Sequence, residues 1–179
     1  MTLVLLDITT MRRALGITAD TVDTDLTRYM TEAEEKVAQI VGPLAPTAVT
    51  EVMRGAGTLV LTTLPVISLT SVTGEFVGSI SNTLVTVNAY GVVRPVRFQV
   101  VLFDDYYTVV YQAGWVTATC PTGFTTAAEL ICKDRWAARN GNSTRRQGGD
   151  ETVDVPGVGR IPELAWSMLQ PYAHGPSVG

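Results

Sequence analysis

The first forty residues contain a hydrophobic pattern with helical spacing. From Asp23 onward, apolar residues recur every three or four positions, while acidic residues fall mostly on the opposite side. The apolar positions are Leu26, Tyr29, Met30, Ala33, Val37, Ile40 and Val41. Gly42 and Pro43 should end this helix, because Gly favours a left-handed cap and Pro cannot continue a helix.

A shorter helix is predicted upstream, from Ile8 to Ile17. Thr9 or Thr10 can cap its start, and Gly16 can end it. Together the two helices make a helical segment over residues 8–42.

Residues 47–119 have a different pattern, which is typical of strands and turns. Short segments rich in Val, Thr, Leu and Tyr alternate with Gly, Pro, Asn and Asp. The candidate strands are Val49–Arg54, Thr58–Thr62, Ile67–Thr73, Thr83–Asn88, Gly91–Arg97 and Tyr107–Ala113. The pattern predicts a small antiparallel sheet or barrel, partly buried against neighbours.

Helical spacing returns over residues 124–139, where Thr125 or Thr126 can cap the start. The residues that share its apolar face are Ala128, Ile131, Cys132 and Trp136. Residues 140–160 are polar and Gly-rich, which predicts a flexible loop or arm. A last short helix, Pro162 to Gln170, and a tail complete the segment 161–179.

These elements predict an α+β fold in one domain, residues 1–179. Two N-terminal helices and the C-terminal helices form a small helical bundle, and the antiparallel β region is inserted between them. The length of 179 residues is enough for one substantial core.

The composition permits an oligomer, since a chain with few charges either buries surface in partners or relies on neutral polar groups for solubility. Charged residues are 17% of the chain, against roughly 25% in typical soluble proteins. The net charge of −4 argues against a general nucleic-acid binder held by phosphate neutralisation. No segment approaches the roughly 20 apolar residues that a membrane span needs, so we expect a soluble protein made in the cytoplasm.

The residues offer little for catalysis. The single histidine, His174, lies in a tail flanked by Gly and Pro, where surrounding structure cannot hold a base in place. Cys120 and Cys132 lack metal or redox spacing, and we expect them to be reduced or buried. Asp104 and Asp105 are neighbours, which predicts a hairpin turn rather than a metal or acid-base pair. No nucleotide, zinc or calcium motif is present. We therefore expect no enzyme activity and no cofactor.

Two sets of residues are candidates for contacts. The C-terminal helix is a plausible docking element because it is short, apolar and preceded by a flexible loop; its apolar residues include Leu164, Trp166, Met168 and Leu169, followed by Tyr172. A basic group could contact DNA or an acidic partner, although a solvated helix end is the simpler interpretation. Its members are Arg139, Arg145 and Arg146.

The order of these elements resembles the head-tail connector (adaptor) family of tailed bacteriophages. The opening LLDITTMRRALGI and the helix DTDLTRYMTEAEEKVAQIVG are similar to that family's first two helices. The strands LPVISLTSVTG and YTVVYQAGW, the helix TAAELICKDRWAARNG and the ending IPELAWSMLQPY continue the parallel. Each motif is degenerate, so the weight comes from their order along most of the chain.

This resemblance implies a structural subunit of the virion neck. Such a subunit would form a dodecameric ring between the portal protein and a stopper or tail-completion protein, around a channel for DNA. The docking residues Leu164, Trp166, Met168, Leu169 and Tyr172 would then contact the portal or a neighbouring subunit.

Two alternatives stay open. A head-completion stopper or tail terminator would have a similar composition, although the two-helix N-terminus favours the connector. A small ligand- or peptide-binding module would use aromatic residues of the β region to line a pocket, although core packing explains them more simply. Those aromatics are Tyr90, Phe98, Phe103, Tyr106, Tyr107, Tyr111 and Trp115.

Overall fold

The computed structural model describes residues 3–18, 20–55, 57–88, 90–96, 102, 104–116, 119–139 and 161–173. The chain divides into two compact units, a helical unit of Met1–Ile40 with Pro121–Ala173 and a β unit that contains Val41–Cys120. The α+β class, with an antiparallel β region between helices, is confirmed. The predicted arm at 140–160 and the tail after residue 173 lie outside the described residues.

The described helices match the predicted ones in number and order. They are α1 (Ile8–Leu15), α2 (Asp23–Val41), α3 (Thr122–Arg139) and α4 (Glu163–Leu169). Helix α2 buries the predicted stripe, including Leu26, Met30, Ala33 and Val37. Helix α3 begins earlier than the prediction of residue 124, directly after Pro121, whose carbonyl accepts from the backbone amide of Phe124.

The N-cap of α1 was predicted wrongly. Asp7, rather than Thr9 or Thr10, has the extended backbone of a cap, and its carboxylate accepts a hydrogen bond from the Thr10 amide at 2.9 Å. The predicted end is correct, since Gly16 adopts the left-handed conformation with φ +67°.

The β unit contains seven described strands in two antiparallel sheets. The strands are β1 (Thr47–Gly55), β2 (Leu59–Val60), β3 (Val66–Gly74), β4 (Gly78–Ile80), β5 (Val85–Val87), β6 (Val92–Pro95) and β7 (Asp105–Ala113). One sheet has the order β1-β7-β3-β4 and the other has the order β2-β6-β5. The sequence did not predict β4, and the predicted strand 83–88 is a 3₁₀ turn, Asn82–Leu84, followed by β5.

Alternation of exposed and buried side chains is clearest in β7. In β7, Tyr107, Val109 and Tyr111 are fully buried, while Tyr106 and Thr108 are exposed. Buried residues of both sheets form one hydrophobic cluster, so the two sheets share one core. The members of this cluster are Leu59, Leu61, Val72, Ile80, Val85, Val93, Leu102, Tyr107, Val109, Tyr111 and Ala113.

The prediction of a hairpin turn at Asp104 and Asp105 is wrong. Asp105 begins β7 and is buried, because its carboxylate accepts hydrogen bonds from the backbone amides of Phe76 at 3.0 Å and Tyr106 at 2.7 Å. Asp104 is exposed and forms a bidentate ion pair with Arg54.

Candidate interaction surfaces

Helix α4 presents exposed apolar side chains while one side of it is fixed in the helical unit. Ala165 and Leu169, one turn apart, are fully buried. Leu164 is 57% exposed and Trp166 is 43% exposed, on either side of buried Ala165. Two large apolar side chains therefore project from a helix that is held in place by its own unit.

Only some of the five predicted docking residues are accessible in the structure. Leu169 is fully buried, so it packs within the subunit and is not available for docking. Tyr172 packs edge to face against Phe124 of α3, with ring centroids 5.1 Å apart. Met168 is half-buried beside Gly123. Leu169 and Tyr172 thus hold α4 against α3, and Leu164 and Trp166 remain accessible.

Of the predicted basic group, only Arg139 lies among the described residues. Arg139 is exposed at the end of α3, and its guanidinium lies 5.9 Å from the ring centroid of Tyr29. Arg145 and Arg146 lie outside the described residues. Trp136, which was predicted to pack in the core, is half-buried and meets the ring of Tyr29 edge to face at 5.9 Å.

The aromatic residues that could have lined a ligand pocket are divided between core and surface. Tyr107 and Tyr111 are fully buried in the β core, whereas Tyr90 and Tyr106 are exposed. The indole of Trp115 is half-buried and donates to the backbone oxygen of Val41 at 3.0 Å. Phe98 and Phe103 lie outside the described residues.

A buried carboxylate fixes the turn between β3 and β4. Asp105 accepts from the amide of Phe76, and the amide of Glu75 donates to the Tyr106 oxygen at 2.9 Å. The Phe76 side chain is 86% exposed on this fixed turn. Because the backbone of this turn is already ordered, a partner that covers the Phe76 side chain would cause little further loss of backbone entropy.

A second carboxylate, Glu51 on β1, is bonded to β7 of the same sheet and to the loop after β2. It accepts from the Tyr111 hydroxyl at 2.5 Å, the Thr62 amide at 3.0 Å and the Thr63 amide at 3.1 Å. Burial raises the pKa of Glu51, but hydrogen bonds from Thr62 and Tyr111 outweigh it, so that the pKa lies below its ordinary value. Burial, and then the bond to Glu51, raises the pKa of Tyr111 to about 12.

We expect the β unit to lose stability in acid through Glu51. Because its pKa is lower in the folded state than in the unfolded state, its contribution is present above the unfolded value of 4.5 and is lost as pH falls through the folded value. Urea denaturation at a series of acidic pH values should show a smaller dependence on pH for Glu51→Gln than for the unmodified protein. An unchanged dependence would contradict the role of Glu51. The matched control is Glu75→Gln, which alters an exposed carboxylate of the same unit.

The described side chains show little chemistry for catalysis. Among the described residues, no group of three or more His, Cys, Asp or Glu could hold a metal ion. Both cysteines are free; burial raises the pKa of Cys132 to about 12 and also raises that of Cys120, which makes both thiols weak nucleophiles. His174 lies outside the described residues. None of the described helices is long and apolar enough to cross a membrane.

Similarity to known proteins is found at the level of structure. No protein-family model and no curated protein sequence matches the chain. A chain of the virion of the native gene transfer agent (GTA) particle superposes with a TM-score of 0.63 at 12% identity. Chains of the native neck computed with C12 symmetry and of the empty neck computed with C6 symmetry give 0.61 at 12% and 0.60 at 11%. Each match covers 98% of this chain and 92% of the other, so the same fold extends over nearly all of both.

Proposed function

We propose that this protein is a structural, non-enzymatic subunit of the neck of a tailed phage or phage-like particle, of the head-tail connector type. The observation that carries the proposal is the match over 98% of the chain to chains from GTA particles, two of them described as necks. The order of the sequence motifs supports the same role independently. In this role the subunit resides in the virion neck.

The proposed assembly is a dodecameric ring with an axial channel for DNA. Two of the similar structures were computed with C6 and C12 symmetry, which is the kind of symmetry that a ring of this subunit would have. The net charge of −4 per chain would make such a ring strongly acidic. An acidic channel would repel passing DNA rather than bind it. The portal protein on one side and a stopper or tail-completion protein on the other are the proposed partners.

Leu164 and Trp166 are the proposed portal-docking residues, since they are the exposed apolar side chains of α4. The double substitution Leu164→Asp with Trp166→Asp should reduce portal binding by at least about tenfold, because each charge would be placed in an apolar contact. Binding can be measured by pull-down and sedimentation with purified portal protein. The double variant should remain folded at the temperature of the assay, as judged by circular dichroism, because neither side chain is part of the buried core.

The matched control for this prediction is Gln170→Asp, which places a charge at an exposed position directly after the same helix. It should leave binding nearly intact. Equal loss in the control and the double variant would mean that charge alone, and not the apolar contact, weakens binding.

The direct test of the function is electron microscopy of the protein mixed with the portal protein from its own genomic neighbourhood. Added ring density on the tail-facing side of the portal would support the connector role. Density on isolated tail tubes instead would favour a tail terminator, and binding only to a preformed portal-connector assembly would favour a stopper.

A further inference from the structure

The outer face of the four-stranded sheet, called face A here, is exposed and almost uncharged. Val52 is 68% exposed and pairs with Thr108 in the register of β1 and β7, and half-exposed Tyr106 pairs with Arg54. Neutral residues at exposed positions of the same two strands include Thr50, Thr108 and Gln112. The charges of Arg54 and Asp104 cancel each other in an ion pair. A neutral surface with an aromatic residue has the composition of an interface centre rather than of a solvated face.

The outer face of the three-stranded sheet, called face B here, has the same apolar character. Val60 is 61% exposed and pairs with Val92, and Thr86 pairs with Arg94 on the same side. Arg94 is exposed and has no ion-pair partner among the described residues. Face B therefore combines exposed valine with a positive charge.

Face A has the opposite charge at its edge. Glu75 follows β3 in the turn that bonds to the Tyr106 backbone, and it too is exposed without an ion-pair partner in the described part of the chain. Phe76, beside it, adds a large exposed aromatic ring on a turn that Asp105 holds fixed. Such aromatic side chains dominate the binding energy of many interfaces.

We propose that face A of one copy packs against face B of the next copy. The two faces belong to different sheets, so the contact is heterologous, and its repetition about a rotation axis would build the proposed ring. Apolar side chains are exposed on both faces, and Glu75 and Arg94, which form no ion pair with any described residue, are opposite in charge. The occupant is therefore a second copy of this chain. The inference rests on the proposed function and specifies the subunit contact within that ring.

Crosslinking with single cysteines tests the contact. In a Cys120→Ser background, Tyr106→Cys marks face A and Val60→Cys marks face B, and a bis-maleimide with a flexible spacer links thiols that come close. We expect crosslinked dimers when the two variants are mixed, and a ladder of larger species when both substitutions are in one chain. The control is Thr24→Cys, at an exposed position on α2, which should give neither. Each reaction is run with the full chain, alone and with the portal protein.

A charge reversal provides the second measurement. Arg94→Glu should remove the ladder, because it places an acid opposite Glu75, and adding Glu75→Arg to the same chain should restore it. Failure of the second substitution to restore the ladder would overturn the proposed pairing of these charges.

The outcomes separate this contact from the proposed function. Rings seen by electron microscopy without a ladder would overturn the contact while leaving the connector role in place. Dimers of Tyr106→Cys alone, as abundant as those of the mixture, would mean that face A meets itself. A crosslink from face A or face B to the portal chain, without a ladder, would assign that face to the portal. Absence of rings, ladder and portal density would overturn both proposals.

Discussion

Adding one methyl group at Gly42 is expected to prevent the β unit from folding stably. Gly42 has φ +86°, and a Cβ atom there would lie 1.8 Å from the backbone oxygen of Leu64. Two backbone segments would have to separate, since no side chain can rotate away. We expect Gly42→Ala to lower the free energy of unfolding by about 4 kcal/mol or more, the range of the most disruptive single substitutions. Urea denaturation followed by circular dichroism measures this change.

Gly16→Ala is the matched control for this prediction. Gly16 also has a left-handed conformation, with φ +67°, but a Cβ atom there would meet nothing within 4 Å. We expect it to cost only about 1 kcal/mol, the penalty for the backbone conformation itself. Equal losses in the two variants would show that the approach of Leu64 to Gly42 does not govern the stability.

Gly42 also illustrates which features of this fold can be predicted from sequence. Gly followed by Pro after an amphipathic stripe indicates where α2 ends, and the structure has the helix ending at Val41. Position 42 requires Gly more strongly than an ordinary helix cap does, however, because the backbone of Leu64 leaves no room for a Cβ atom. That contact joins residues 22 positions apart, and no local pattern encodes it.

Long-range hydrogen bonds explain the errors in the β region. Two adjacent aspartates favour a turn locally. Asp105 instead becomes the buried start of β7 because the amide of Phe76, 29 residues earlier, donates to its carboxylate. The division into two sheets could not be predicted either, because strands of both sheets show a similar alternation of buried and exposed residues. Strand β4, with only three residues, is too short to show a period.

The buried and exposed sides of α4 could not be predicted from the sequence. With seven residues, α4 has too few turns for its spacing to distinguish the buried side from the exposed side. In the structure, Leu169 is buried, and Tyr172, directly after the helix, packs against the ring of Phe124. These contacts identify the side of α4 that packs within its unit. The exposure of Val52, Val60 and Tyr106 could not be predicted, because exposed Val and Tyr in a strand look the same in sequence as buried ones. Only the fold distinguishes the two.

Removal of the Glu34 carboxylate is expected to have the second largest effect. Glu34 is buried on α2, and its oxygens accept hydrogen bonds from the backbone amides of Val4 at 2.9 Å, Leu5 at 2.7 Å and Leu6 at 2.8 Å. A charged acceptor bonded to consecutive amides fixes this N-terminal segment against the helix. In Glu34→Ala those amides lose their acceptor, and one of them, that of Leu6, is buried. We expect a loss of about 3 kcal/mol in the free energy of unfolding.

Glu35→Ala is the control, since it removes the neighbouring carboxylate, which is exposed, and should change stability by less than about 0.5 kcal/mol. Amide hydrogen exchange adds a local measurement. In Glu34→Ala the amides of residues 4–6 should exchange much faster, whereas exchange in the middle of α2 should rise only as much as the loss in the free energy of unfolding requires. Glu34→Gln keeps one acceptor oxygen and should fall between the other two variants. If Glu34→Ala and Glu35→Ala were equally stable, the segment would be held by Leu6, whose side chain is also buried, rather than by the carboxylate.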